Sequence, residues 1–255
     1  MATAIIGGML NSNFTSADCI NIFDLNKDKC NDFISQGVTF CSSADEVAVD
    51  SDVIVLAVKP QTYPDILGDL SKIDCENKVF VSIAAGISIA FIRKQLSQNV
   101  KVVRVMPNTP LLLSKGASAM CKSDNTEDDE FNVVKNMFSL SGVVEIIDES
   151  HMDEIISVNG SSPAYIYLFT KSIIDYAVES GIDEKKALNL ICATLEGSAA
   201  MMRESGDDID TLIKKVSSPG GTTIAALNSF EENNFTDIMK KAMNACANRA
   251  KELGK

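Results

Sequence analysis

The segment with the clearest chemical potential is Ser217-Ser218-Pro219-Gly220-Gly221-Thr222-Thr223, which stands directly before an apolar run. Two glycines after a proline let the backbone bend so that several N–H groups face one way, and a helix that starts there adds partial positive charge. This pattern predicts a binding site for a carboxylate, and the hydroxyls of Thr222 and Thr223 could donate protons beside it. If this segment stood alone, an ordinary helix start would be the better interpretation. The other motifs therefore decide whether it is a binding site.

Three further motifs follow predicted strands, where an open α/β sheet binds its ligands. Val58-Lys59-Pro60-Gln61 places a positive charge at the strand end, suited to a cofactor phosphate or ribose, although a solvated lysine is an equally good interpretation. Ser82-Ile83-Ala84-Ala85-Gly86 consists of small residues that a flat ring could approach closely. Arg104-Val105-Met106-Pro107-Asn108-Thr109-Pro110 contains two prolines that fix a turn. That turn offers Asn108 to a ligand.

Two carboxylates and a second predicted helix start lie between Pro110 and Ser217 in the sequence. Glu149 and Asp153 are four residues apart at a predicted helix start, so they share roughly one face. They are either a surface pair or a binding site for a cationic substrate nitrogen. The segment Asn159–Tyr165 has serines that can cap a helix and a proline suited to its first turn.

The elements that must position these motifs fall into two regions. Between residues 20 and 147, β-branched runs alternate with helical patterns, and Val53–Val58 is apolar throughout, as a strand buried on both faces should be. This alternation predicts a Rossmann-like, doubly wound α/β domain over residues 1–150. After residue 150 apolar residues recur at helical spacing, which predicts an all-helical domain over residues 151–255.

Composition excludes several classes of function. The net charge of -12 argues against nucleic acid and anionic membranes as partners. The seven cysteines have no CxxC spacing, which indicates reduced thiols in a cytoplasmic protein. His151 is the only histidine, so neither a Ser-His-Asp triad nor a histidine metal site is expected. The sequence shows neither a signal peptide nor an apolar stretch of the roughly 20 residues that a membrane span needs.

Taken together, the motifs resemble pyrroline-5-carboxylate reductase over essentially the whole chain. The matching segments are Leu56–Gln61, Ser82–Gly86, Arg104–Pro110, Gly160–Tyr165 and Ser217–Thr223, in the family's order and spacing. The resemblance implies reduction of the cyclic imine 1-pyrroline-5-carboxylate to L-proline with NADPH or NADH. It also implies helical domains that assemble as homodimers or larger homo-oligomers. Two departures are Ser162, where the family usually has glycine, and Ala44, where it has asparagine.

The resemblance also implies roles for individual residues. The substrate is expected at Glu149, Ser218, Gly221, Thr222 and Thr223, with Thr223 as the candidate catalytic residue that donates to or positions the imine nitrogen. The cofactor is expected at Ala57, Val58, Lys59, Pro60, Ala84 and Ala85, together with Asn108. Asp24 ends the first predicted strand, where a carboxylate favours a ribose 2′-OH and hence NADH; Lys27 and Lys29 nearby could reverse that preference.

The start of the chain departs from the family pattern. Met1–Gly8 resembles the middle of the family's first helix, so the preceding strand and glycine-rich loop are expected to be missing. Without that strand we expect an interruption of the sheet between Ile20–Phe23 and Val53–Val58, and weak cofactor binding by the chain as given.

Two alternative functions stay open from the sequence. One is a β-hydroxyacid dehydrogenase-like oxidoreductase, which shares the two-domain plan. The other is a non-catalytic or regulatory paralogue, or a truncated remnant, which would bind neither NADH nor NADPH.

Overall fold

The computed structural model describes residues 1–254 and divides them into two compact units. Unit 1 comprises Met1–Pro163 and the C-terminal residues from Met243 onward, and unit 2 comprises Ala164–Ala242. The units therefore divide the chain between residues 163 and 164 and again between 242 and 243. The domain boundary at residue 150 stays a prediction.

Unit 1 contains two sheets. In the larger sheet β3, β4 and β5 run parallel, β6 runs antiparallel to β5, and β7 runs parallel to β6. The smaller sheet is the parallel pair of β1 and β2. The strands are β1 (Asn21–Ile22), β2 (Thr39–Phe40), β3 (Val53–Leu56), β4 (Val79–Ser82), β5 (Lys101–Met106), β6 (Gly116–Lys122) and β7 (Gly142–Ile146).

This arrangement confirms the predicted Rossmann-like fold and adds one element to it. Strand β6 was not among the predicted strands. Because it runs antiparallel to β5, the larger sheet is mixed. The predicted interruption is present, because β1 and β3 belong to different sheets and do not pair. Gly7 and Gly8 lie inside the first helix, in accordance with the helical reading of Met1–Gly8.

The helices of unit 1 cover both faces of the larger sheet. Alternate strand residues face two separate cores: Ile54 and Phe80 contribute to one core, whereas Val81 and Val103 contribute to the other. Side chains cap several helix starts: Ser43 accepts from Glu46, and Ser88 accepts from Phe91. The helices are α1 (Ala2–Asn11), α2 (Asn31–Ser35), α3 (Ala44–Val49), α4 (Tyr63–Leu70), α5 (Ile89–Gln95) and α6 (Asp128–Ser139).

Unit 2 is helical, as predicted. The remaining helices are α7 (Ser162–Glu179), α8 (Glu184–Glu204), α9 (Ile209–Lys215), α10 (Thr222–Glu232) and α11 (Phe235–Leu253). Aspartates cap two of them, since Asp183 accepts from Lys186 and Asp208 accepts from Thr211. Helix α11 begins in unit 2 and ends in unit 1. Within residues 1–254 no helix combines the length and apolarity that crossing a membrane would require.

Candidate active site

The loop after β3 exposes a short run of residues at the carboxyl edge of the sheet. Ala57, Val58 and Lys59 are all exposed, and Pro60 opens a 3-10 turn that leads into α4. Within residues 1–254 the Lys59 ammonium makes no ion pair. The loop therefore presents backbone, small side chains and one available positive charge to a ligand.

The loop after β4 lies beside it and consists of small residues. Ala84 is buried, Ala85 is partly buried, and Gly86 adopts the left-handed conformation with φ +79. Because β3 and β4 are paired in parallel, both loops leave the same edge of the sheet. The cofactor candidates Ala57–Pro60 and Ala84–Ala85 are thus brought together.

A buried tyrosine fixes the spacing of these two strand ends. The Tyr63 hydroxyl donates to the Leu56 carbonyl at 2.9 Å and lies 2.9 Å from the Ser82 Oγ. Burial raises the pKa of Tyr63 to about 12, so the hydroxyl stays protonated and can keep donating. Sequence analysis missed this interaction, because a single tyrosine seven residues after Leu56 forms no recognisable motif.

Asp24 follows β1, in the smaller sheet. Its Oδ1 accepts from the backbone N–H of Asn26 at 2.8 Å and lies 3.5 Å from the Lys29 Nζ. The ammonium of Lys27 lies 4.9 Å from the centroid of the Phe40 ring. The acid that was expected at the ribose therefore lies beside the Lys29 ammonium, whereas the Lys27 ammonium lies over Phe40.

Asn108 follows β5, and both ends of its amide are bonded within the protein. Its Nδ2 donates to the Asn159 carbonyl at 3.1 Å, and its Oδ1 accepts from the backbone N–H of Ala117 at 2.9 Å. Asn159 in turn donates to the carbonyls of Met106 and Ala117. The asparagine pair joins the ends of β5 and β6 to the π-helix Ile156–Gly160. A cofactor role for Asn108 stays a prediction, and its amide already has a structural one.

Glu149 belongs to a charge network around the buried Arg104 side chain. Its Oε1 accepts from the backbone N–H of Ile89 at 2.7 Å and from Arg104 Nη1 at 3.4 Å, and Arg104 Nη2 donates to Asp153 at 2.7 Å. The Arg104 side chain is only 4% exposed, whereas that of Glu149 is 37% exposed. Glu149 therefore stabilises the start of α5 and neutralises Arg104 through one oxygen, while part of its carboxylate remains accessible. The partnership with Arg104 was missed because 45 residues separate the two.

The Ser-Pro-Gly-Gly turn, residues 218–221, is in unit 2. The backbone N–H of Gly221 donates to the Ser218 carbonyl at 2.9 Å, and Gly220 at the third position has φ +70, as a type II turn with proline second requires. Gly221 is the N-cap of α10, and no side chain of the described residues 1–254 caps that helix. A Cβ on Gly221 would lie 2.9 Å from the Ser218 carbonyl oxygen, so the close turn favours glycine there.

The amides of the first turn of α10 have no helical carbonyl to bond, because none precedes them at the required spacing. Thr222 is exposed and Thr223 is partly buried, and in the described part of the chain neither hydroxyl makes a hydrogen bond. The Ser218 side chain is exposed as well. The structure thus brings together Ser218, Gly221, Thr222 and Thr223, whereas Glu149 and the cofactor candidates are in unit 1.

Comparison with known proteins identifies the family. Residues 149–253 match the family model for pyrroline-5-carboxylate reductase dimerisation, and residues 1–86 match the one for coenzyme F420-dependent NADP oxidoreductase. The chain is 38% identical to pyrroline-5-carboxylate reductase of Corynebacterium melassecola, over 86% of this chain and 82% of that protein. It is 32% identical to that of Escherichia coli, over 100% of this chain and 95% of that protein.

Solved structures give the same result. The Plasmodium falciparum pyrroline carboxylate reductase, crystallised with NADP bound, matches with a TM-score of 0.91 at 30% identity, over 99% of this chain and 94% of that one. The Coxiella burnetii pyrroline-5-carboxylate reductase matches with a TM-score of 0.89 at 30% identity, over 100% of this chain and 95% of that one. The chain belongs to the pyrroline-5-carboxylate reductase family.

Proposed function

We propose that this protein reduces the cyclic imine 1-pyrroline-5-carboxylate to L-proline, with NADPH or NADH as the reductant. The observation that carries the proposal is the uncapped start of α10 behind the Ser-Pro-Gly-Gly turn, in a chain that belongs to this reductase family. The two alternatives drawn from the sequence are less well supported, since the relatives share this family over most of the chain.

The loops at the edge of the larger sheet fit a nicotinamide dinucleotide. The small side chains of Ala57, Ala84 and Ala85 leave the backbone accessible to a flat ring. Lys59, which makes no ion pair within residues 1–254, offers its ammonium to phosphate or ribose oxygens. When bound, the dinucleotide supplies the hydride that is added to the imine carbon. Asp24 with its neighbours Lys27 and Lys29 is compatible with either dinucleotide, because the cations offset the repulsion that the carboxylate would exert on a 2′-phosphate.

The start of α10 binds the substrate carboxylate in this proposal. Three first-turn amides and the partial positive charge of the helix favour an anion there, and the exposed Ser218 hydroxyl can add a further donor. Charge-assisted hydrogen bonds of this kind contribute roughly 1.5–3 kcal/mol each. Binding the carboxylate fixes the position of the ring to which it is attached.

The imine nitrogen gains a proton as the carbon receives hydride, so a donor must stand beside it. We assign this role to Thr223, whose partly buried hydroxyl has no partner in residues 1–254. Glu149 has one oxygen bonded to Ile89 and Arg104, so its other oxygen could accept a hydrogen bond from an amine N–H.

The helices of unit 2 are proposed to form a homodimer or larger homo-oligomer. The family model that matches this region is one for dimerisation, and most large apolar side chains of unit 2 are exposed in the single chain. We further place the protein in the cytoplasm, because all seven cysteines are free thiols.

The test is steady-state kinetics of the purified protein with 1-pyrroline-5-carboxylate and each dinucleotide, followed by the loss of reduced nicotinamide and by the L-proline formed. We expect stoichiometric proline formation. A protein that binds a dinucleotide but forms no proline would refute the proposed reaction, and one that binds neither dinucleotide would support the non-catalytic alternative.

A further inference from the structure

The C-terminal end of α11 packs directly against the loop after β4, and both belong to unit 1. A Cβ on Gly86 would lie 2.2 Å from the Ala250 carbonyl oxygen and 2.9 Å from the Gly254 nitrogen. Conversely, a Cβ on Gly254 would lie 2.0 Å from the Gly86 carbonyl oxygen. The two backbones therefore meet with no room for a side chain between them.

Further contacts fasten the end of α11 to unit 1. Ala247 and Ala250 are buried, and Ala250 belongs to the core that includes Ile54 and Phe80. The Lys251 Nζ lies 2.6 Å from the Glu154 Oε1, and the Cys246 thiol lies 3.3 Å from the Ser161 Oγ. The helix end is thus held by packing and by polar contacts at successive turns.

The loop itself is held at three points. Tyr63 contacts Ser82 at its start, and Glu149 accepts from Ile89 at its end. Between them, Ala85 and Gly86 form the turn, and the contact with Ala250 and Gly254 is made there. The left-handed φ of Gly86 means that a turn without this support would have other conformations available.

We infer that the end of α11, Ala250–Gly254, is a positioning element that fixes the loop Ile83–Gly86 in the conformation that binds the dinucleotide. The inference rests on the proposed function in one respect, namely that Ala84 and Ala85 line the cofactor. Its consequence is that residues far along the chain from the cofactor loop control dinucleotide affinity without touching the dinucleotide.

Three variants test the inference. Gly86→Ala places a methyl group against the Ala250 carbonyl oxygen. Gly254→Ala places a methyl group against the Gly86 carbonyl oxygen while the loop keeps its own sequence, and a chain that ends at Arg249 lacks the contact altogether. Gly68→Ala in α4 is the matched control, because a Cβ there meets nothing within 4 Å. We expect the first three to raise the dissociation constant and KM for NADPH roughly tenfold or more, whereas kcat at saturating NADPH and the KM for 1-pyrroline-5-carboxylate change much less.

A second readout does not need activity. Amide hydrogen exchange of the ligand-free protein should become faster across residues 83–89 in the shortened chain and in Gly254→Ala, while β7 exchanges as in the unaltered protein. When Gly86→Ala is made in the shortened chain, it should raise the dissociation constant for NADPH by less than it does in the full chain, because Ala250 is no longer there to clash with the methyl group.

The outcomes separate this inference from the proposed function. Unchanged NADPH affinity and unchanged loop exchange in all three variants, in a protein that still makes proline, would overturn the positioning role alone. If the unaltered protein makes no proline, the proposed function fails, and the exchange measurement still decides whether α11 orders the loop. Faster exchange throughout unit 1 would show general destabilisation and would also count against the inference.

Discussion

The two units differ sharply in how much apolar surface each buries for itself. Unit 1 fully buries large side chains such as Tyr63, Phe80 and Phe138 on both faces of its sheet. In the described residues of unit 2 only Ala177 and Ala187 are buried among the apolar residues, whereas Leu168 and Leu190 are each 68% exposed. Unit 1 thus has a complete core, and unit 2 has apolar helices without one.

The difference shows where the stability of each unit originates. A helix that is apolar on several faces is expected to be buried, and helix α7 exposes the consecutive residues Ile166–Phe169. Burial contributes roughly 25 cal/mol for each Å² of apolar surface removed from water. Unit 1 gains this free energy within one chain, and we propose that unit 2 gains it only against a second copy.

Leu168→Glu should have the largest effect, because it places a charge on the surface proposed to lie between copies. We expect loss of the homo-oligomer in sedimentation velocity and a fall in melting temperature of about 10 °C or more. Leu25→Glu is the control, since Leu25 in unit 1 is 96% exposed and should tolerate the charge. An oligomer of unchanged mass in Leu168→Glu would contradict the proposed interface.

Thr223→Val should lower turnover without disturbing assembly. Valine keeps the branched shape at the start of α10 and removes only the hydroxyl. General acid assistance is typically worth 10²–10⁴-fold, so we expect a fall in kcat of roughly that size, with dinucleotide affinity and mass unchanged.

Thr222→Val provides the comparison and should cost less, because Thr222 is the more exposed of the two. Equal losses in both variants would assign the effect to the helix start as a whole, and an unchanged kcat in Thr223→Val would remove that hydroxyl from the mechanism.

Arg104→Met should destabilise unit 1 alone. It leaves Glu149 and Asp153 without their cation, and breaking a buried pair from one side costs about 3–5 kcal/mol. Because both carboxylates are partly exposed, we expect the lower end of that range, or a fall in melting temperature of roughly 5–10 °C. Arg249→Met, which breaks an exposed pair with Glu252, should change the melting temperature little. A change of oligomeric mass in Arg104→Met would contradict the independence of the unit 1 core.

The smallest effect is expected for the pair of Glu154 and Lys251 at the end of α11. The hydrogen bond from the Lys251 ammonium lowers the pKa of Glu154, so the pair stabilises the folded state above the ordinary carboxyl pKa of about 4.3 and loses this contribution as the pH falls through the lowered pKa. Lys251→Met should therefore lower the melting temperature by about 1 °C or less at pH 7 and not at all near pH 3. An equal shift at both pH values would point to lost packing of the side-chain stem.

The elements that could be predicted are those whose own residues specify them. The β-branched run at Val53 and the apolar run at Val79 predict β3 and β4, and the apolar spacing of Tyr63–Leu70 predicts α4 with its observed bounds. Strand β6, with the sequence Gly-Ala-Ser-Ala-Met-Cys-Lys, was missed because it contains no β-branched or aromatic residue. Its strand conformation comes from pairing with β5 and β7.

The candidate site likewise has parts that could be predicted from the sequence and parts that could not. The turn at Pro219 and Gly220 could be predicted because both residues have strong local preferences. The contacts of Arg104 with Glu149, and of Gly86 with Ala250, join residues far apart in sequence, and no local pattern encodes which of them meet. Asn108 illustrates the remaining difficulty, because an amide suited to a ligand is equally suited to joining two loops.

Because the chain leaves unit 1 after Pro163 and returns to it at Met243, unit 2 is an insertion in the sequence of unit 1. During synthesis the sheet and its flanking helices emerge from the ribosome first, but the helix end that contacts Gly86 emerges only after the whole of unit 2. The contact at Gly86 therefore cannot form until residues 243–254 have been synthesised, and the loop after β4 stays uncovered there until then. Completion of unit 1 is thereby coupled to synthesis of the whole of unit 2.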